Sequence, residues 1–158
     1  MTPRHLSHPS DPSRLAAFVE RCRAAGFPLT TQRRVVFEAL MDRHDHPTAE
    51  DVYEAVRRRL PEIHRATVYR TLDRLVALGL AVRVHRLGHA ARFDPNVDRH
   101  DHAVCVRCGS MEDVEPDDAH EPLPHARALA ARGFEVVAHS VQVQVVCPAC
   151  RGTPTPAA

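Results

Sequence analysis

Residues 94–108 read DPNVDRHDHAVCVRC, with three acids, two histidines and two cysteines in fifteen positions, and a second cysteine pair closes the chain as CPAC at 147–150. Cys105 and Cys108, with Cys147 and Cys150, form two Cys-x2-Cys knuckles. A two-residue spacer lets both sulfurs of a pair turn toward one ion, and four thiolates complete the tetrahedral shell of zinc. Such a site is structural, because no coordination position stays open for a substrate. The competing readings are four unrelated buried thiols or a redox role for one pair. Neither pair has the strand-to-helix setting of a redox motif.

Asp94, His100, Asp101 and His102 remain from the same stretch. On a strand, His100 and His102 point to one face while Asp101 points away. Two imidazoles and a carboxylate suit iron(II), manganese, zinc or nickel. Asp113, from the next strand, is a candidate fourth donor. The plainer reading is that these are ordinary surface or core histidines, since the chain has 12 of them. His5 and His8 of the N-terminal tail are read as incidental.

These residues need elements to hold them. SDPSRLAAFVERCRAAG carries a capping residue, an early proline and a closing glycine, the punctuation of a helix. TTQRRVVFEALMDR begins on Thr30 or Thr31 and sets Val35, Val36, Ala39 and Leu40 on one face. TAEDVYEAVRRRLP has Thr48 three residues before Asp51, a near capping box, and stops at Pro61. RATVYRTLDRLVALG stripes Val68, Leu72, Leu75 and Val76 and ends at Gly79. LAVRVHR-LGHA-ARFD then reads as a hairpin, giving the outline of a winged helix-turn-helix. Beyond it, HDHAVCVRC and SMEDVE read as strands, PHARALAARG as a short helix, and FEVVAHSVQVQVVC as a long strand. Gly109 is expected in a tight turn after Cys108.

The fold class expected is α+β. A disordered tail (1–12) precedes a winged-helix domain (13–85), a small dimerisation and metal-binding domain (86–152) and a second disordered tail (153–158). The 158 residues suffice for this, with 44% hydrophobic content but only 4% aromatic. All 21 basic residues are arginine, a pattern attributed to a GC-rich genome. Residues 1–83 hold 14 arginines against 10 acids, and the rest 7 against 10, so a mildly basic half precedes an acidic one. The N-terminus has no apolar run, and no stretch approaches transmembrane length. A cytoplasmic protein without membrane contact is expected, where paired cysteines are metal ligands before they are disulfides. Cys22 is left over in a predicted helix.

Six segments in order, TTQRRVVFEAL, HPTAEDVY, RATVYRTLDRLVALGL, ARFD, HDHAVCVRCG and FEVVAHSVQVQVVCPAC, resemble the ferric uptake regulator (Fur) family of bacterial metal-dependent repressors, over about residues 13–152. The resemblance implies a homodimer binding double-stranded operator DNA through the winged helix. It implies structural Zn2+ on Cys105, Cys108, Cys147 and Cys150, and regulatory Fe2+ or Mn2+ on His46, Asp94, His100, His102 and Asp113. It makes RATVYRTLDRL the recognition helix, with Arg65, Thr67, Tyr69 and Arg70 as DNA contacts. Tyr69 would meet bases and Arg70 phosphate. A core role for Tyr69, and a solvated helix face for Arg33 and Arg34, stay open. His64 stands at the cap position where the family more commonly has Ser or Gly, which leaves the helix start undetermined.

Within the family, zinc sensors have a cysteine where this chain has Asp94. Iron sensors usually have glutamate at the positions of Asp94 and Asp113, and the peroxide-sensing branch has aspartate at both. The resemblance is therefore closest to that branch. There Fe(II) reacts with peroxide, an adjacent ligand histidine (His46 or His100) is oxidised, and DNA is released. The alternative is iron- or manganese-uptake control without peroxide sensing. A further metal site could draw on Asp101, His139 and Glu121 or His120, but Arg99 stands where a histidine is common, so that set is incomplete. Two other classes remain. A small non-haem metalloenzyme built on Asp94, His100 and His102 would lack a substrate pocket, and a zinc-ribbon module without DNA binding would leave ATVYRTL unexplained. The expectation is a regulator and not an enzyme.

Overall fold

The computed structural model describes residues 12–85, 88–115, 126–136 and 141–152. The expected tails lie outside these, apart from Pro12 at the start of the first helix. So do His120, Glu121 and His139 of the incomplete extra metal set. The chain divides into two compact units at Val97/Asp98.

The first unit contains α1 (Pro12–Ala24), α2 (Thr31–Met41), α3 (Ala49–Arg59), α4 (Arg65–Ala77), β1 (Val82–Val84) and β2 (Arg92–Asp94). Local chemistry sets the helix limits. Thr30 caps α2 by accepting from the Arg33 N–H at 3.3 Å. Thr48 and Asp51 close a reciprocal capping box on α3, with Asp51 N–H to Thr48 Oγ1 at 3.2 Å and Thr48 N–H to Asp51 Oδ2 at 2.8 Å. His64 does serve as the N-cap of α4, in extended backbone, but gives no side-chain cap bond. At the other end Gly79 adopts φ +64°, and the Leu80 N–H reaches the Leu75 carbonyl at 2.9 Å, a Schellman closure. Arg21 of α1 donates to the Leu78 and Gly79 carbonyls at 2.8 and 2.9 Å.

Phe18, Val36, Leu40, Val52, Val56, Val68, Leu72 and Leu75 are fully buried at the centre of this unit. Phe18 and Phe37 stack with centroids 4.2 Å apart. Val35 and Val76, expected on the apolar faces, are only partly buried, whereas Phe37 and Thr71 lie inside. The hairpin pairs Val82 with Asp94 and Val84 with Arg92. Its second strand belongs to the first unit, which runs to Val97.

The second unit is a three-stranded sheet in the order β4-β3-β5, from β3 (Asp101–Cys105), β4 (Met111–Val114) and β5 (Gln142–Val145). β3 pairs antiparallel with β4 and parallel with β5. α5 (Ala126–Ala131) matches the expected short helix. The long strand expected over 134–147 is shorter: only Gln142–Val145 pairs, while Phe134–Val136 is irregular and exposed and 137–140 lies outside the described residues. The chain ends in α6 (Pro148–Arg151), a four-residue helix not expected from sequence.

Candidate metal centres and the recognition helix

The four cysteines of the knuckles meet in the second unit. Cys105 ends β3, Cys108 follows a turn, Cys147 caps α6 and Cys150 lies within it. Gly109 takes φ +76°, and the turn is held by Gly109 N–H to the Cys105 carbonyl at 3.0 Å. All four sulfurs lie within 4.8 Å of one another, and Cys108 Sγ is 3.7 Å from Cys147 Sγ. A tetrahedron with Zn–S bonds of about 2.3 Å has edges of about 3.8 Å, so the donor set fits zinc. Backbone N–H groups of Cys108 and Cys147 hold the Cys105 thiol well below its ordinary value, at about 5. The Ser110 hydroxyl, 3.2 Å from Cys108 Sγ, lowers that thiol too. Cys150 is pushed up to about 12, first by the Cys147 sulfur and then by Cys108. Four sulfurs this close resist joint ionisation, and a dication relieves that repulsion. Arg107 of the first knuckle donates to the Cys150 carbonyl at 2.5 Å, lacing the two knuckles together.

The histidine and aspartate donors form one set in each unit. In the first, His46 sits in the α2–α3 loop and Asp94 ends β2, both 2% exposed. Their Nε2 and Oδ2 atoms are 3.4 Å apart. The other Asp94 oxygen accepts from the Asn96 N–H at 2.7 Å, which fixes the carboxylate. In the second, His100 precedes β3, His102 lies on it, and Asp113 faces His102 across the β3–β4 ladder. His100 and His102 do share a face, with Nε2 atoms 3.0 Å apart. His100 Nε2 is 3.6 Å from Asp113 Oδ1, and its Nδ1 is 2.7 Å from the Asp98 carbonyl. That bond places the proton on Nδ1 and leaves Nε2 to face an ion. Ligands about 2.1 Å from a shared ion are about 3.0 to 3.4 Å apart, so both sets suit a divalent cation. Nitrogen and carboxylate donors without thiolate suit Fe(II) or Mn(II). Asp101 is half-buried, one residue from His102.

The four expected DNA contacts lie together on the N-terminal half of α4. Arg65, Tyr69 and Arg70 are exposed, Tyr69 by 40%, so Tyr69 is not a core residue. The Glu50 carboxylate on α3 pairs with Arg65 and accepts from Tyr69 Oη at 3.3 Å. Thr67 and Arg70 line a cleft of about 420 Å³ between α2 and α4, with Thr30, Gln32, Arg33 and Arg74. Arg33 stacks on Phe27 at 3.9 Å, while Arg34 is engaged by Glu38 along its own helix at 2.7 Å.

Sequence reasoning missed the groups that orient these ligands: Arg92, whose guanidinium reaches the His46 carbonyl at 2.8 Å, the Asn96 N–H and the Asp98 carbonyl. Two of the three are backbone atoms, and no residue type signals them.

Among the described residues no helix is long and apolar enough to cross a membrane. Residues 24–144 match the sequence model of the ferric uptake regulator family. The peroxide-responsive repressor PerR of Staphylococcus epidermidis is 30% identical over 129 residues, 82% of this chain and 85% of that protein. The solved peroxide stress regulator of Campylobacter jejuni is 30% identical with TM-score 0.64, over 86% of this chain and 98% of that one. The ferric uptake regulator of Pseudomonas aeruginosa, solved with manganese, is 32% identical with TM-score 0.65, over 82% and 97%. With its winged helix-turn-helix, its four-cysteine zinc site and its His/Asp donors, the chain belongs to the ferric uptake regulator family, whose members are metal-responsive DNA-binding regulators and not enzymes.

Proposed function

We propose that this chain is a cytoplasmic, homodimeric repressor that binds operator DNA when His46, Asp94, His100, His102 and Asp113 hold Fe(II) or Mn(II), and that it senses peroxide at that site. The observation that carries the reading is the buried His46–Asp94 pair on the DNA-binding unit, 3.4 Å apart. A helix-turn-helix has no need of it. Neither this pair nor the His100–His102–Asp113 set fills a coordination shell by itself, whereas pooled they offer three nitrogens and two carboxylates.

The mechanism follows from where the donors sit. One ion shared by both sets would tie the winged helix to the dimerisation unit and fix the spacing of the two recognition helices. A dimeric reader needs that spacing to match successive major grooves. Moving the population from 1:99 to 99:1 takes about 5.5 kcal/mol of preference for the DNA-competent form. Arg65, Thr67, Tyr69 and Arg70 would then meet DNA together. Exposed Val106, Val141, Val143 and Phe134 on the second unit support dimerisation there.

A ferrous ion held by these residues would donate one electron to peroxide and split its O–O bond, beside ligand histidines that would take up the oxygen and supply the remaining electrons. Asp94 and Asp113, aspartate where iron sensors usually carry glutamate, favour this branch, as does the likeness to the staphylococcal PerR. The second reading is manganese or iron homeostasis, supported by the likeness to the Pseudomonas regulator solved with manganese.

Fluorescence anisotropy on DNA from upstream of the protein's own gene, with anaerobic Fe(II) or Mn(II) loading, separates these readings. Release by sub-millimolar peroxide in the iron form alone supports peroxide sensing. Binding that survives peroxide with both metals moves the function to homeostasis, and absence of metal-dependent binding overturns the repressor.

A further inference from the structure

His46 is the only non-glycine residue among those described with positive φ, at +50°. Side-chain-bearing residues enter this left-handed region at a cost, and surrounding contacts must hold them there. Here the contacts come from β2. Arg92 Nη1 donates to the His46 carbonyl at 2.8 Å and to the Asp45 carbonyl at 3.3 Å. The Phe93 N–H donates to the Pro47 carbonyl at 2.8 Å, and Thr48 forms an antiparallel bridge with Arg92. Residues 45–48 are thus laced to 92–93, and Asp94 is the next residue of the strand.

Arg92 and Asp94 are two residues apart on β2 and so address the same side of it. One grips the backbone of His46, and the other faces its imidazole across 3.4 Å. We infer that Arg92 is a positioning residue for metal binding: it holds His46 in its left-handed conformation and so presents the imidazole beside Asp94. The inference rests on the assignment of His46 and Asp94 as ligands.

Charge and geometry predict opposite signs for its removal. A guanidinium near the site repels a dication, so loss of the charge alone should tighten metal binding. Loss of the clamp should weaken it, because His46 must then be ordered as the ion binds. Replacement of groups that orient metal ligands weakens binding by about 10- to 100-fold.

The test uses the full-length protein carrying its zinc, titrated with Mn(II), with free Mn(II) read by electron paramagnetic resonance. Wild type, R92Q, R92K, H46A and the R92Q/H46A double variant are compared, with zinc content and circular dichroism as fold checks. The expected result is binding about 10-fold or more weaker in R92Q, a smaller loss in R92K, and no further loss when R92Q is added to H46A. Unchanged or tighter binding in R92Q, or the same loss in the H46A background, overturns the clamp while leaving the site intact. A wild type with no H46A-sensitive Mn(II) binding overturns the site and the clamp together. If R92Q does not fold, R92K and R92K/H46A give the same comparison, and wild-type affinity in R92K overturns the inference.

Discussion

The Tyr69 hydroxyl of the recognition helix lies 3.3 Å from the Glu50 carboxylate of α3, and Arg65 pairs with the same carboxylate. One acid thereby engages two of the four residues expected to touch DNA. Arg65 also stacks on Tyr53 at 4.8 Å, so contacts across the α3–α4 surface hold these side chains.

Glu50→Gln removes a negative charge from the surface proposed to face DNA while keeping an acceptor for Tyr69 and Arg65. The pair is exposed and worth at most about 1 kcal/mol, so the change should be modest, a gain of about fivefold or less in affinity. The gain should appear on operator and unrelated DNA alike, since phosphate repulsion carries no sequence information. Anisotropy over a series of salt concentrations measures it. An equal or lower affinity for unrelated DNA would show that Glu50 does not face the backbone.

Cys108→Ser should strip the zinc. Among the described residues the second unit buries Val104, Cys105, Met111 and His102, a small core on which a bound zinc should weigh heavily. Zinc held by four thiolates contributes about 10 to 16 kcal/mol in small domains, so its loss should unfold this unit. Metal analysis, thermal melting and light scattering should show zinc falling below one per chain, a lower melting point and loss of the dimer. Full zinc content in the variant would place the metal elsewhere.

The helices and their limits were legible because capping is local chemistry: Thr30, the Thr48/Asp51 box and Gly79 each act within a few residues. The cysteine knuckles were legible for the same reason. Tyr69 was ambiguous because it follows Val68 by one position, about 100° around the helix, near enough to the stripe to suggest burial. Its environment depends on Glu50, far away in sequence. Arg92 was invisible as one arginine among 21, since its partners are backbone carbonyls brought close only by the fold. The expected long strand failed because a run of valines shows β propensity but not the extent of pairing, and β5 pairs with β3 for only four residues.

Val143→Glu should break the proposed dimer. Among the described residues β5 is an edge strand, and its Val143, with Val141 just before it, 48% and 40% exposed, lies on one face. In a two-fold interface each substitution acts twice, and burying one valine contributes about 1.5 kcal/mol or more. The dissociation constant should rise by at least about 100-fold, which sedimentation or light scattering across a dilution series detects. A variant that stays dimeric at low concentration would move the interface off this strand.

The α3 capping box should make stability depend on acid pH. Burial pushes the Asp51 carboxyl up, but hydrogen bonds from the Thr48 side chain and backbone, with the charges of Arg43 and Arg92, outweigh it and leave the group below its ordinary value. A carboxylate whose folded pKa is depressed stabilises the fold above its unfolded value of about 3.9, and that contribution is lost as pH falls through the lower folded value. Asp51→Asn should therefore cost about 1 kcal/mol at neutral pH, lowering the melting point by a few degrees. The gap between wild type and variant should shrink as pH drops below about 4. Thermal melts of both proteins from pH 7 to pH 3 measure that gap. A gap that stays constant would mean that Asp51 acts through its shape and not its charge.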